Sequence, residues 1–211
     1  MEFDFATLDP ADRYKLLIQV IVPRPIALVT ARDRAGRINA APFSFFNVMS
    51  QTPPLVVLGI EGRPDGTPKD TVQYPRETGE FVVNMVDFAM AEAMNVCAVD
   101  FPPGEDELAA AGLTAVASAK VGAPRIAEAP ASLECRQHAV FEIAPNGRSI
   151  LVGEVVHLHV RDDAFADADR LYLDPGRLDI VGRLGGTGYV RTTDRFDIKR
   201  ISYAEWLARS G

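Results

Sequence analysis

Residues 133–161 read LECRQHAVFEIAPNGRSILVGEVVHLHVR and predict the longest element of the fold. The dipeptide Asn146-Gly147 lies close to the middle of this stretch. Asn-Gly is the pair that best tolerates the two left-handed backbone positions of a type I′ turn. We therefore predict a long hairpin, with strands over 133–144 and 149–161 that are joined at Asn146 and Gly147.

Shorter elements surround this hairpin. Strands are predicted over 26–30, 38–44, 55–60 and 81–86, with a turn at 34–36. Helices are predicted from Pro10, capped by Asp9, to a stop at 23–25, from Asp87 through Cys97, and over 105–111 before Gly112. The first helix carries an apolar stripe made of Tyr14, Leu16, Leu17, Val20 and Ile21. Long strands joined to short ones, with helices between them, favour a mainly β fold: a closed or nearly closed antiparallel barrel with helical insertions. No linker divides the chain, so we expect one domain over 1–211.

Composition and charge restrict the possible partners. The 211 residues are 47% hydrophobic and 24% charged, which is ordinary for a globular protein. The net charge of -7 argues against a nucleic acid or an anionic membrane as a partner. No apolar run is long enough to span a bilayer, and the acidic N-terminus lacks the pattern of a signal peptide. Cys97 and Cys135 are far apart and indicate buried thiols, so we expect a cytoplasmic protein.

Residues 39–50, NAAPFSFFNVMS, combine three aromatic side chains with four small polar ones. We predict that this segment leaves a strand and becomes irregular. Aromatic and small polar residues beside free backbone groups suit a planar heteroaromatic ligand. The same composition is typical of a core-packing corner, and from these residues alone both interpretations stay open.

Lys69-Asp70-Thr71 follows Gly66-Thr67-Pro68 at the predicted start of a short helix. Free N–H groups, the positive end of the helix dipole, a lysine and a hydroxyl together suit a phosphate group. The alternative is that Asp70 and Thr71 only cap a surface helix. The spacing is not that of a Walker loop, and the glycine-rich stretch 182–189 does not match the dinucleotide fingerprint G-x-G-x-x-G.

A metal site is a competing hypothesis. A two-residue turn in the hairpin would set Glu134 across from His159 and Arg136 across from His157, all on one face. Two histidines and a carboxylate can form a facial triad for iron. The positive charge of Arg136 would oppose a cation there, and a solvated surface or a subunit contact is the commoner role of such a face. No nucleophile and base stand together elsewhere, so we predict no catalytic side chain.

Several ordered segments resemble one known family. They are PRPIALVT (23–30), NAAPFSFFNVMSQTPP (39–54), KDT (69–71), TGEFVVN (78–84), SLEC (132–135), GEVV (153–156) and GRLGG (182–186). Their order and spacing are similar to those of the flavin-reductase-like, FMN-binding split-barrel proteins. The resemblance covers most of the chain, from about Pro23 to Arg191.

This resemblance implies a six-stranded, Greek-key-like split barrel that forms a homodimer and binds FMN near the subunit interface. The residues that it implies against the isoalloxazine ring are Ser44, Phe45, Phe46, Asn47 and Ser50. Those that it implies at or near the phosphate are Asn39, Lys69, Asp70 and Thr71. Arg24, Tyr189 and Arg191 also match motif positions, and they are second-tier expectations.

The activity implied by the resemblance is an NAD(P)H-dependent FMN reductase, in which a hydride passes from the nicotinamide to flavin N5. Proximity and orientation supply most of the acceleration of such a step. A partner monooxygenase is an expected acceptor of the electrons. Two alternatives stay open: an FMN-binding electron carrier that does not oxidise NAD(P)H, and a metal-dependent β-barrel enzyme that uses Glu134, His157 and His159.

Overall fold

A computed structural model describes residues 1–102, 105–143 and 147–210 of the chain. The helices are α1 (Pro10–Val20), α2 (Asp70–Thr78), α3 (Ala91–Val96), α4 (Glu107–Ala111), α5 (Pro175–Leu178) and α6 (Tyr203–Ser210), with a 3-10 turn at Asp162–Ala164. The strands are β1 (Arg24–Pro25), β2 (Ala27–Arg32), β3 (Ile38–Phe43), β4 (Phe46–Gln51), β5 (Pro54–Ile60), β6 (Glu80–Met85), β7 (Ala115–Val116), β8 (Arg125–Ile126), β9 (Ala131–Glu142), β10 (Ser149–Val160), β11 (Phe165–Asp167), β12 (Tyr172–Leu173), β13 (Val181–Arg183) and β14 (Tyr189–Arg191). None of the helices described is long and apolar enough to cross a membrane.

The main sheet is antiparallel and has seven strands in the order β3-β2-β6-β9-β10-β5-β4. Phe43 near one edge and Leu58 near the other belong to the same buried core, so the sheet curls around its own interior. That core consists of Ala27, Val29, Ala31, Phe43, Val56, Leu58, Ile60, Val72, Phe81, Val83, Cys135 and Leu151. Six strands and α2 supply these residues, and β4 adds a seventh strand at the edge. The fold is a split β-barrel with helical insertions, and the predicted mainly β architecture is confirmed.

Strand β2 is buried on both faces. Ala27, Val29 and Ala31 face the barrel core, while Leu28 packs on the outside with Met94 of α3 and Leu108 of α4. Successive side chains of a strand point to opposite faces, so a strand covered on both sides is apolar throughout. This second core holds α3 and α4 against the barrel, and it positions one wall of the cavity described below.

Helix α1 begins and ends close to where the sequence predicts. Asp9 is the N-cap residue and Pro10 takes the first position, although the Asp9 side chain makes no capping hydrogen bond. The apolar stripe is not a core-facing stripe, since α1 has no buried residue and Leu17, Val20 and Ile21 are exposed. The helix lies outside the barrel and leaves this face uncovered within one chain.

The helices after β6 are shorter than predicted. Helix α3 starts at Ala91, because Asp87 caps a turn ahead of it by accepting the Met90 N–H at 3.0 Å. In α4, the Asp106 carboxylate accepts the N–H groups of Leu108 and Ala109 at 3.0 and 3.1 Å. Gly112 follows α4 with a φ of 68°, as predicted for a glycine that ends a helix.

The prediction that the chain becomes irregular where the segment 39–50 leaves strand β3 is wrong. Residues 46–51 form strand β4, which pairs with β5 from Phe46 opposite Leu58 to Gln51 opposite Pro54. Pairing with β5 gives backbone groups of β4 hydrogen-bond partners that an irregular loop would lack. Phe46 packs against the barrel core, whereas Val48 and Met49 stay exposed.

The long hairpin is confirmed, but its predicted register is wrong. Ser149 lies opposite Glu142, and Ile143 donates its N–H to the Arg148 carbonyl at 3.1 Å, so the connection is longer than two residues. The turn residue Asn146 lies outside the described residues. This longer connection sets Glu134 opposite His157 rather than His159, because the register shifts at 152–153 and 155–157 cancel each other by that pair. Local turn chemistry could not reveal these two bulges.

Candidate functional site

A cavity of about 720 Å³ opens between β3, the start of α2 and the segment that joins α3 to α4. It is lined by residues 36–43, 63–64, 69–71, 74, 97–102 and 105–107. Four of the nine predicted cofactor-binding residues line it: Asn39, Lys69, Asp70 and Thr71. Cavities of this size hold ligands the size of a nucleotide.

Asn39 and Thr71 meet on the wall of this cavity. Asn39 Nδ2 donates a hydrogen bond to Thr71 Oγ1 at 3.0 Å, and both side chains are buried. Because Thr71 accepts this bond, its own O–H proton is left to donate elsewhere. Within the described parts of the chain that proton has no acceptor, so it is available to a ligand.

The start of α2 carries the positive charge of the cavity. Lys69 is the N-cap residue and forms no ion pair with any described residue. The N–H groups of Asp70 and Thr71 have no protein acceptor in the described ranges, as expected at a helix start. The Asp70 carboxylate is neutralised by Arg63, whose Nη2 lies 2.7 Å away. One lysine charge and the helix dipole therefore remain for an anion.

Arg63 also orders the loop that leads into α2, and sequence reasoning did not identify it. Its guanidinium donates to the Pro68 carbonyl, and Gln73 Nε2 donates to the same oxygen at 2.7 Å. Gly66 takes a φ of 83°, which lets the loop turn back toward Arg63. No local motif marks this arginine, since its partners come from the fold.

Glu107 of α4, Cys97 after α3 and Tyr74 of α2 also line the cavity, and sequence reasoning missed them as well. Glu107 Oε2 accepts the Ala40 N–H at 3.2 Å, which ties α4 to β3. Burial raises the pKa of the Glu107 carboxyl above its usual value and likewise raises that of the Tyr74 hydroxyl. Burial, assisted by the charge of Glu107, raises the pKa of Cys97 to about 11. Cys97 is therefore a neutral thiol at pH 7 and not a nucleophile.

Comparisons with known proteins now bear on what this cavity holds. A family model described as the flavin reductase like domain matches residues 20–182. The chain belongs to the flavin reductase-like family.

Related proteins extend this finding over the whole chain. A Deinococcus radiodurans protein described only as uncharacterized is 44% identical over an alignment of 210 residues that covers 97% of this chain and 91% of the relative. The structure of 2-nitrobenzoate 2-nitroreductase NbaA from Pseudomonas fluorescens is similar, with 35% identity and a TM-score of 0.86 over 96% of this chain and 98% of that one. Component B of nitrilotriacetate monooxygenase from Bacillus cereus is 30% identical, with a TM-score of 0.87 over 94% and 98%. The family and these structures support a flavoprotein with an oxidoreductase role.

The other five predicted residues of this flavin reductase-like chain lie beside the cavity, not in its wall. Ser44 directly follows Phe43, which does line the cavity. Phe45 precedes the edge strand β4, and Phe46, Asn47 and Ser50 lie on it. Phe45 is exposed and its ring centroid lies 6.3 Å from that of Tyr14 on α1. The role of Ser44, Phe45, Phe46, Asn47 and Ser50 in flavin binding stays a prediction.

Arg24 has a structural environment. Its buried guanidinium donates to the carbonyls of Ile18 at 2.6 Å, Ile21 at 2.9 Å and Leu184 at 3.0 Å, and Nε donates to Ser44 Oγ at 3.2 Å. This side chain therefore fastens the end of α1 and the loop after β13 to the start of β4.

Tyr189 and Arg191 are also engaged by the protein. Arg191 pairs with Asp179 at 2.6 Å and stacks on the Phe88 ring at 4.3 Å. Tyr189 lies under the Arg183 guanidinium at 4.4 Å. Neither residue lines the cavity described above.

A second group of chemically active side chains lies away from this cavity. Glu134 is fully buried, and His159 Nε2 lies 2.5 Å from its Oε1. Burial disfavours the Glu134 carboxylate, but N–H donors from Ala119 and Lys120 together with His159 outweigh burial and lower its pKa. The predicted grouping of Glu134 with His157 and His159 is thus present, although the register that led to it is wrong.

Proposed function

We propose that this protein binds FMN in the cavity and reduces it with NAD(P)H. The observation that carries the proposal is the start of α2, where Lys69, the Thr71 hydroxyl and two free N–H groups face one space. A single unpaired lysine charge suits one phosphate group, which FMN has. Asn39 would orient the Thr71 hydroxyl toward that phosphate through their 3.0 Å hydrogen bond.

The flavin ring would lie toward β4. Phe43 forms the end of the cavity wall that leads to Ser44 and the edge strand, a stretch that contains both aromatic and small polar side chains. Aromatic faces and backbone polar groups are what an isoalloxazine ring needs to be held flat. Arg24, through its bond to Ser44, would act as a positioning residue for this segment.

The protein's part in the reaction is to bind and orient. Hydride acceptance at N5 is the chemistry that bound FMN supplies. The residues of the chain hold the phosphate, exclude water from one side of the ring and leave the other side open to a nicotinamide. Such positioning supplies most of the acceleration of a bimolecular hydride transfer, so no side chain is assigned as a nucleophile or a base.

The proposal includes a homodimer. Exposed apolar side chains lie on α1, on β4 and directly beside them, and the Tyr14 and Phe45 rings connect the two groups. These side chains are Tyr14, Leu17, Val20, Ile21, Phe45, Val48 and Met49. A contiguous apolar surface marks a protein interface. Val48→Glu should shift the protein to monomers in light scattering, whereas Phe141→Glu, at an exposed aromatic of β9, should not.

The electron acceptor is proposed to be a partner monooxygenase in the cytoplasm. The similarity to a monooxygenase component B supports an oxygenase partner, and two free, buried cysteines suit a reducing compartment. An electron carrier that does not oxidise NAD(P)H is the alternative within the same fold.

One spectroscopic experiment tests the proposal. The purified protein should show the visible absorption of bound flavin, or gain it on titration with FMN. Anaerobic addition of NADH or NADPH should then bleach this band. A protein that binds no FMN refutes the binding proposal, and bound FMN that neither nucleotide bleaches supports the electron carrier.

The similarity to a nitroreductase favours a second candidate, the reduction of a bound organic acceptor such as a nitroaromatic compound. Reduction of a nitro group consumes protons as well as electrons, and Glu107 in the cavity wall is easier to protonate than an exposed carboxyl. Anaerobic mixing of the reduced protein with 2-nitrobenzoate separates the candidates. Reoxidation of the flavin with loss of the nitro compound supports this activity, and a flavin that stays reduced refutes it.

A further inference from the structure

We infer that Glu134, His157 and His159 form a binding site for a divalent transition-metal ion of the zinc class. The site is separate from the flavin cavity, since none of the three residues lines it. It therefore does not depend on the proposed flavin chemistry. Two imidazoles and one carboxylate are a common protein ligand set for zinc.

The three side chains already converge. His157 and His159 are two residues apart on β10 and so point to the same face, and Glu134 is the direct partner of His157 on β9. One ligand atom from each residue lies within 4.8 Å of the others. The two imidazole rings meet edge to face, with centroids 4.7 Å apart and planes at 67°. Three donors on adjacent strands are thus arranged around one small space.

Only small movements separate this arrangement from a coordinated ion. Donors at about 2.1 Å from a tetrahedral ion are about 3.4 Å from one another. His159 Nε2 and Glu134 Oε1 are 2.5 Å apart, so they would separate by roughly an ångström as the ion enters. The ion would replace the proton shared by these two atoms, and that proton would leave to solvent. Both imidazoles are only partly buried, which allows the movement and leaves room for a water ligand.

The backbone holds the carboxylate in place for this role. The Ala119 N–H donates to Glu134 Oε1 at 2.7 Å, and the Lys120 N–H donates to Oε2 at 2.6 Å. Hydrogen bonds to a ligating carboxylate fix its orientation and are a recurrent part of metal sites. The same bonds stabilise the charged form of a side chain with no solvent exposure.

Arg136, whose positive charge would oppose a metal in the predicted register, has different strand partners in the structure. Arg136 is exposed and lies opposite Glu154 on β10 and Glu80 on β6, rather than opposite His157. Both of its neighbours across the sheet are thus carboxylate residues rather than histidines. A cation at the histidine pair would join β9, β10 and the chain at 119–120, and would stabilise the folded state.

The test uses the full chain without a histidine tag, after treatment with a chelator. Titration of zinc followed by calorimetry should give one site per chain. His157→Ala and His159→Ala should each weaken the affinity at least about tenfold. His138→Ala is the matched control, because His138 is the third histidine of the chain and lies exposed on β9.

A measurement on the unmodified protein accompanies these variants. Cobalt(II), which substitutes for zinc, should give the visible absorption bands of a low-symmetry site with nitrogen and oxygen ligands. The inference is overturned if the wild-type protein shows no saturable binding of either ion. It is equally overturned if His157→Ala binds zinc as tightly as His138→Ala. Flavin binding, measured on the same samples, should be unchanged in every variant.

Discussion

Asn39 and Thr71 are 32 residues apart in the chain, and their side chains are joined by a 3.0 Å hydrogen bond inside the protein. The bond links strand β3 to the first turn of α2. The bond also leaves the Thr71 hydroxyl proton free to face the cavity, because Thr71 accepts from Asn39 and keeps its own proton to donate. The same pair of side chains therefore lines the proposed binding site and holds β3 against α2.

Replacement of the Thr71 hydroxyl should lower both the stability of the protein and its affinity for FMN. Thr71→Val leaves the buried Asn39 amide without its acceptor, so the free energy of unfolding should fall by about 1–3 kcal/mol. FMN affinity should fall as well, as measured by fluorescence titration. Thr71→Ser keeps the hydroxyl and should retain most of the stability and most of the FMN affinity. Equal FMN affinity in Thr71→Val and wild type would contradict the placement of the phosphate.

Lys69→Met should reduce the affinity for FMN about tenfold or more, because it removes the cavity's unpaired positive charge (a charged hydrogen bond is worth about 1.5–3 kcal/mol). The affinity for riboflavin, which lacks the phosphate, should not change. Lys199→Met is the control, since that lysine is 81% exposed on the C-terminal segment. A parallel loss of riboflavin affinity would show that Lys69 acts on the ring or the fold instead.

Arg24→Met should destabilise the protein by about 3 kcal/mol, since three carbonyls and Ser44 lose a buried, charged donor. Urea unfolding measures this change. Arg34→Met offers a comparison, because Arg34 is exposed and makes a single bond to the Glu77 carbonyl. Similar unfolding free energies for the two variants would disprove the structural role of Arg24.

Gly153 lies at a bulge of β10 directly over the ring of Phe81. A Cβ at this position would stand 2.8 Å from Phe81 Cε1 and 3.1 Å from Cys135 Cβ. Gly153→Ala should therefore cost about 1–3 kcal/mol in unfolding free energy. In a double-mutant cycle Phe81→Leu should relieve part of this cost. Additive effects of the two substitutions would contradict the close contact.

The Cys97 thiol should make stability depend on alkaline pH. Its pKa is about 11 in the folded protein and about 8.5 in an unfolded chain, so the unfolded state loses its proton first. The Cys97 contribution to the free energy of unfolding is fully present below about pH 8.5 and is lost as the pH rises toward 11. At about pH 10.5 the loss amounts to about 2–3 kcal/mol. Cys97→Ala should lose less stability than wild type between about pH 8 and 10.5. Identical profiles of stability against pH for wild type and Cys97→Ala would refute the raised pKa of Cys97.

Local residue patterns were sufficient for helices α1 to α4 and for six of the seven strands of the main sheet. Pro10 acts through its fixed φ, Gly112 through its left-handed backbone, and Lys69 through its carbonyl, which accepts the N–H groups of Val72 and Gln73. Their effects do not depend on the rest of the fold, so the starts or ends of α1, α2 and α4 fall where the sequence predicts.

The segment 39–50 and the hairpin register show where this reasoning fails. Residues 46–51 form a strand because β5 lies alongside, and position 153 of β10 requires a glycine because Phe81 from β6 occupies the space beneath it. Both causes are residues distant in sequence. No pattern within the segment itself contains them.

The sequence by itself determined a mainly β chain with a long hairpin, a helix start at Lys69 suited to a phosphate, and the flavin reductase-like motifs. Tertiary structure alone decided that Arg63 neutralises Asp70, that Glu107 and Cys97 face the same cavity, and that Glu134 lies directly opposite His157 rather than His159. The physical reason is the distance along the chain over which each interaction acts. Backbone propensity and capping act within a few residues, whereas burial, charge pairing and convergence of side chains arise only when distant strands pack together.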